Sequence, residues 1–238
     1  MSTGGQMSEL SPVENTAEKD EALERRLYFR QFITQYPCEQ YSKGQILMLQ
    51  NETPKGVFVI ESGKVRSYTI SSDGHEQLIS IHSRGEDIPI GFAFGVTEKS
   101  QYFYEAYTKC TAHLIPKDEF LEQLRLDPKL MYQMHLYDTE QLSSALNRIH
   151  ALGQSRASNK VALTLIYLAD RLRVRPWTRP RPQEISVTQE EIADSLGMTR
   201  ETVSGELKKL RFKKIISYSR KRYVFYMERM ISHLKRDQ

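Results

Sequence analysis

The segment Ser186-Val187-Thr188-Gln189-Glu190-Glu191-Ile192-Ala193-Asp194-Ser195-Leu196-Gly197-Met198-Thr199-Arg200-Glu201-Thr202-Val203-Ser204 constrains the chain more than any other. It reads as two short helices joined by a tight glycine turn. Ala193, Gly197 and Val203 stand four and then six residues apart, which suits a helix-turn-helix. Alanine lets the helices approach, glycine takes a turn conformation that a Cβ resists, and valine plugs the gap between them. Thr188 and Glu191 make a capping box for the first helix. Thr199 is placed to cap the second. That second helix opens with Arg200-Glu201-Thr202, a polar start suited to base edges in a major groove.

Charge separates the chain into two parts. From Ser155 onward there are 19 Lys and Arg against 9 Asp and Glu, whereas Met1–Gln154 holds 15 against 21. A basic back half that coincides with a helix-turn-helix pattern points to a polyanionic partner for that half alone. No apolar run approaches the roughly 18–20 residues needed to span a membrane, and the polar, acidic start does not resemble a signal peptide. The expectation is a cytoplasmic protein with no membrane partner. Cys38 and Cys110 lie far apart, with no CxxC or CxxH spacing. Neither a structural zinc site nor a disulfide framework is expected, and a reducing compartment fits.

Residues 1–20 read as a disordered tail, rich in Ser, Thr, Gly and acidic residues. Residues 21–126 read as a β-roll with flanking helices. Glu21–Tyr36 has a helical apolar pattern, and after it short apolar or alternating runs recur between glycine turns. Ile46–Leu49, Val57–Ile60, Val65–Ile70, Leu78–Ile81 and Ala112–Ile115 read as strands. Lys117–Leu126 is a short helix. Asp127-Pro128 then starts a long one, with proline at its first position, covering residues 127–153. Leu142, Ala145, Leu146 and Ile149 form a heptad-like stripe, from which Leu130, Met134 and Tyr137 are offset. All seven are assigned to a dimer seam, because a long helix with an exposed apolar stripe needs a partner. Residues 154–238 form the last unit. It comprises a helix over Asn159–Leu172, a Pro/Arg-rich connector over Val174–Pro182, the helix-turn-helix and a two-stranded wing tipped by Ser219-Arg220-Lys221. A helix over Glu228–Lys235 closes it. The fold class is therefore α+β: an N-terminal jelly-roll-like β-roll, a long dimerisation helix and a C-terminal winged helix-turn-helix.

This arrangement resembles the CRP/FNR family of bacterial transcription regulators over roughly residues 22–235. Gln189–Ala193 and Leu196–Ser204 are very like the family signature, and the turn glycines Gly44, Gly63, Gly74 and Gly85 agree more loosely. The resemblance implies a cytoplasmic homodimer that reads a palindromic operator in double-stranded DNA and contacts RNA polymerase. It also implies a signal-sensing β-roll in each subunit. The reading positions would be Thr199, Arg200, Glu201, Thr202 and Ser204. Arg200 suits phosphate or guanine, and Glu201 suits cytosine N4. Many relatives carry arginine immediately after the serine, where this chain has Gly205. The loss removes a guanine contact worth roughly 1–3 kcal/mol of discrimination. Lys208, Lys209, Arg220, Lys221 and Arg222 would supply phosphate affinity without sequence preference.

The sensing half is less legible. Residues expected near an effector pocket are Glu86, Ile90, Phe92, Lys99, Ser100, Gln101 and Tyr104. Cyclic-AMP-binding relatives hold the phosphate with an arginine, and no arginine occurs between Arg84 and Arg125. The expected effector is therefore something other than cyclic AMP, or there is none. Two lone cysteines do not make a four-thiolate iron–sulfur site. No cofactor, metal or catalytic residue is assigned, and an enzyme is not expected. The alternative from another class is a cupin-like metalloenzyme with an accessory DNA-binding domain, which would need His75 and His82 to converge with a carboxylate.

Overall fold

The computed structural model describes residues 16–172 and 182–236. Helix α1 (Thr16–Ile33) leads into eight strands: β1 (Cys38–Tyr41), β2 (Ile46–Met48), β3 (Val57–Ser62), β4 (Val65–Ile70), β5 (Glu76–His82), β6 (Asp87–Ile88), β7 (Phe103–Ala106) and β8 (Cys110–Ile115). They form two antiparallel four-stranded sheets, ordered β1-β8-β3-β6 and β2-β7-β4-β5. These face each other as a jelly-roll-like sandwich. The expected tail over 1–20 is shortened by the structure, since α1 begins at Thr16; the rest of that tail lies outside the described residues.

Strand β3 shows why the sequence folds this way. Its Val57-Phe58-Val59-Ile60 run is apolar throughout because both faces are covered. Phe58 and Ile60 point between the sheets, with Tyr41, Met48, Val65, Ile88, Tyr104 and Ala112. Val57 and Val59 point outward with Ile115, under a helical layer. That layer is α1, α2 (Lys117–Leu126) and the first half of α3 (Pro128–Leu152). The Asp127 carboxylate accepts from the backbone N–H groups of Lys129 and Leu130, and Pro128 occupies the first helical turn.

Helix α3 has two buried-face patterns in succession. Leu130, Met134 and Tyr137 are buried against α1, Phe120 and the outer sheet face. The Tyr137 ring packs against Gly85, whose φ of +90° and missing Cβ make room for it. Three of the seven residues expected at a dimer seam are therefore consumed inside the protomer. Further along, Leu142, Leu146 and Ile149 are 61, 57 and 65% exposed, and Ala145 is exposed with them.

The C-terminal unit comprises α4 (Ala157–Leu172), β9 (Gln183–Ser186), α5 (Gln189–Leu196), α6 (Arg200–Phe212), β10 (Ile216–Ser219), β11 (Arg222–Phe225) and α7 (Met227–Arg236). Its sheet has the order β10-β11-β9, so the expected two-stranded wing gains a third strand. The expected connector falls mostly on residues outside the description. The unit's core runs through Leu165, Leu168, Ile192, Val203, Leu207, Tyr223 and Phe225, and takes in Ile81 of β5. Among the described residues, no helix is long and apolar enough to cross a membrane.

Candidate nucleic-acid interface and effector cavity

Local chemistry fixes the two helices of the motif. The Thr188 hydroxyl accepts from the Glu191 N–H at 3.1 Å, and the Glu191 carboxylate accepts from the Thr188 N–H at 2.6 Å. Helix α5 ends at Gly197 in the left-handed region, φ +61°. A Cβ there would meet nothing within 4 Å, so glycine is required by the backbone angle and not by crowding. Thr199 caps α6 by accepting from the Thr202 N–H. Ala193 and Val203 are almost fully buried where the helices cross.

Helix α6 is divided lengthwise. Val203, Leu207 and Leu210 face the core. Arg200, Glu201, Thr202, Lys208 and Lys209 are exposed, and Ser204 and Gly205 are half-buried at the edge. Helix α6 runs through Gly205 without interruption, and a Cβ there would meet nothing. The Arg200 side chain reaches Glu190 of α5 only at 4.0 Å, with both side chains more than 60% exposed, so it is not held there. Lys209 is tied to Glu206 at 2.7 Å. Arg220, with φ +52°, and Lys221 form the turn between β10 and β11 and are exposed. Arg222 belongs to β11 itself and pairs with Glu184 of β9 at 2.6 Å. The wing cations thus differ: two lie in the turn, and the third, just after it, is held to the neighbouring strand.

A cavity of about 670 Å³ lies between the roll and the second half of α3. Leu78, Phe94, Tyr102, Leu142, Ile149 and Tyr167 give it mainly apolar walls. Of the seven expected effector residues, Ile90 and Gln101 line it. The other five are placed elsewhere. Phe92 joins the helical core. Tyr104 packs between the sheets, its hydroxyl accepting from the Ile90 N–H at 3.3 Å. The buried Ser100 hydroxyl donates to the Tyr102 carbonyl at 2.6 Å. Lys99 is exposed. Glu86 is engaged by Arg171 of α4, whose Nη2 donates to both carboxylate oxygens at 2.6 and 2.7 Å.

The sequence reading missed the cavity's charged members, Asp87, Asp138 and Arg148. Burial, followed by the neighbouring charge of Asp138, pushes the Asp87 carboxyl up to about 7. Arg148 is spent on the first helix of the motif. Its Nη1 donates to the Ser195 hydroxyl at 2.8 Å, and Nη2 donates to the carbonyls of Ser195 and, at 2.5 Å, Leu78. Arg171 likewise donates from Nε to the Ile81 carbonyl at 2.6 Å. Two buried arginines therefore bridge the roll to the C-terminal unit. Both occupy buried positions of amphipathic helices, and a cation recurring in an apolar stripe was the available signal. The β-domain histidines do not converge. His75 is exposed, His82 is buried with its Nε2 2.9 Å from the Ser67 hydroxyl, and His113 lies on the outer face of the other sheet.

Residues 38–127 match the family pattern of a cyclic nucleotide-binding domain, and residues 159–234 that of a Crp-like helix-turn-helix domain. The chain is 28% identical over 162 residues to the regulatory protein HlyX of Actinobacillus pleuropneumoniae, covering 68% of this chain and 66% of that protein, just under two thirds of its length. It is 28% identical over 182 residues to the transcriptional activatory protein AadR of Rhodopseudomonas palustris, covering 74% and 72%. Its fold is similar to that of FixK2 from Bradyrhizobium japonicum, with a TM-score of 0.66 at 23% identity over 84% of this chain and 96% of that one. The c-di-GMP-responsive regulator CLP of Xanthomonas campestris gives 0.66 at 19% identity, covering 87% and 99%. The two matched domains, in this order and on this architecture, establish that the chain belongs to the CRP/FNR family of transcription regulators.

Proposed function

We propose that this protein is a sequence-specific DNA-binding transcription regulator, acting as a homodimer on a palindromic operator. The observation that carries the reading is the division of α6, with one edge locked in the core and Arg200, Glu201 and Thr202 exposed at its capped N-terminal end. That is the end which enters a major groove. Lys208, Arg220 and Lys221 add phosphate affinity around it. The seam is assigned to Leu142, Ala145, Leu146 and Ile149, since a contiguous exposed apolar stripe on a long helix calls for a partner surface. Contact with RNA polymerase is part of the same reading, with no residue assigned to it.

The effector is proposed to be something other than cyclic AMP, or to be lacking. The cavity holds two carboxyl groups, and its one arginine is already committed to Ser195 and Leu78. A bound phosphodiester would meet Asp87 and Asp138 with no free guanidinium to offset them. The same argument weighs against a cyclic dinucleotide of the kind to which CLP responds. A neutral or cationic apolar ligand suits these walls. The metalloenzyme alternative loses its support, because His75 and His82 face different surroundings.

Selection of duplexes from a random pool by the purified protein, followed by salt-titrated binding, tests the proposal. Enrichment of a two-fold symmetric site with half-sites about 34 Å apart, abolished in Arg200→Ala/Glu201→Ala, is expected. Binding that is equal on all sequences and unaffected by that variant refutes it.

A further inference from the structure

We propose that Cys38, Glu61 and His113 form a binding site for one divalent transition-metal ion of the zinc type, on the outer face of the β1-β8-β3 sheet. Their donor atoms all lie within 4.8 Å of one another. Three adjacent strands supply them. Cys38 of β1 and Val59 of β3 both pair across the ladder with His113 of β8. The register shift between Ile60 and Ser62 leaves Glu61 unpaired in the ladder, on the same face as Val59 and His113. The Glu61 Oε2 atom sits 3.3 Å from His113 Nε2 and 3.9 Å from Cys38 Sγ. Metal bonds of about 2.0–2.3 Å at tetrahedral angles hold N, O and S donors roughly 3.3–3.6 Å apart. The pocket is therefore close to the required size, with only the exposed thiol needing to swing inward.

The surroundings of the three donors favour a ligand set. His113 is 3% exposed, and its Nδ1 lies 2.9 Å from the Tyr36 carbonyl. A carbonyl only accepts, so Nδ1 carries the proton, and in the neutral ring the Nε2 lone pair faces the carboxylate. Two acceptors 3.3 Å apart repel unless a positive centre lies between them. A histidine whose far nitrogen is fixed by a backbone carbonyl is also the usual posture of a metal ligand. The other carboxylate oxygen, Oε1, accepts from Arg30 at 3.0–3.1 Å. Arg30 thereby orients Glu61 and keeps Oε2 for the cluster. Thiolate and imidazole donors select zinc-like ions over magnesium or calcium. Binding displaces the Cys38 proton to solvent, leaving a dication balanced by one thiolate and one carboxylate, with water as fourth ligand.

The cavity described above is lined by none of the three residues. The ion would fasten the edge strand β1 and the chain leaving α1 to the centre of the sheet.

The test uses the full-length protein, stripped with a chelator and titrated with Co²⁺ alone. One equivalent should bind with a thiolate-to-cobalt charge-transfer band and the visible bands of a tetrahedral site, one proton should be released, and Zn²⁺ should displace it. Cys38→Ser should abolish the charge-transfer band and weaken binding at least ~100-fold, the upper end of what losing an outer-shell partner costs. Cys110→Ala should change neither. His113→Gln should weaken binding similarly. If that buried substitution fails to fold, Cys38→Ser at its exposed position decides. Absence of a charge-transfer band, or a band that survives Cys38→Ser, overturns the proposal. The cluster is then an imidazolium–carboxylate pair beside an ordinary thiol.

Discussion

Replacing Glu86 with leucine should destabilise the protein by about 3–5 kcal/mol, the usual cost of leaving one member of a buried ion pair alone. The geometry places it in that range. Arg171 gives two hydrogen bonds to the Glu86 carboxylate, and the side chains are 8 and 5% exposed. With Glu86 gone, the guanidinium keeps the Ile81 carbonyl as acceptor and no counter-charge from Glu86. Arg171→Met should cost less, because the Glu86 carboxylate retains His82, whose Nδ1 lies 3.5 Å away. The double variant Glu86→Leu/Arg171→Met should lie within about 1 kcal/mol of the parent, since apolar replacement of a whole buried pair is often neutral. Equilibrium urea unfolding of the four proteins measures the coupling. A pH series adds an independent check. Burial opposes ionisation of Glu86, but His82, 3.5 Å away, and the Arg171 charge outweigh it and hold the carboxyl below the usual range. The stability it contributes is thus present above the unfolded carboxyl's pKa and is lost as pH falls through the lower folded value. The acid limb of the stability curve should flatten in Glu86→Leu. A single-variant loss below about 1 kcal/mol, or a double variant that costs the sum of the singles, refutes the clamp.

Asp87→Asn should raise the melting temperature more at pH 8 than at pH 5. A carboxyl raised to about 7 stays protonated in the folded state while the unfolded one ionises, so its cost accumulates as pH rises from the unfolded carboxyl's pKa and is complete above the folded value; equal effects at both pH values would contradict this. Gly205→Arg should stabilise α6 by up to about 1 kcal/mol, since the position is helical and open. It should also sharpen the preference at one base pair per half-site by roughly 1–3 kcal/mol in competitive binding, and an unchanged operator preference would remove Gly205 from the interface. Leu146→Glu, on the exposed stripe, should yield monomers in analytical ultracentrifugation with an unchanged melting profile at low concentration; dimers at parental affinity would move the seam elsewhere.

Elements with their own periodic pattern were legible. Strand β4 over Val65–Ile70, α2 and α3 fall where the sequence places them, and the capping box and glycine turn locate the helix-turn-helix. Strands β1, β6, β7 and β9 were not read. Each is two to four residues long and carries polar side chains, so its conformation comes from a ladder partner distant in sequence. The pocket residues were displaced for a related reason. Around residues 86–104, turns bounded by Gly85, Gly91 and Gly95 decide which side chain faces which wall. Local composition does not encode that choice. Glu86 is the clearest case, since its partner Arg171 lies 85 residues away and is recruited only when α4 packs on β5.

Helix α3 connects these observations, because its two apolar stripes serve different surfaces. The first stripe, through Tyr137, fixes the helix rigidly to its own roll. The second borders both the exposed apolar stripe and the cavity: Leu142, Ala145 and Ile149 contribute to each. Arg148 projects from the same stretch to Ser195 of α5. Anything filling the cavity therefore touches the turns proposed to face a partner subunit and the arginine that holds the helix-turn-helix unit. An occupant shifts an equilibrium only by its difference in affinity between two states. Here the groups able to register that difference are the side chains of one half-helix. The decisive contrast is thus between variants of Leu142 or Ile149, which should alter ligand response and dimer affinity together, and variants in the Leu130–Tyr137 turns, which should alter stability alone.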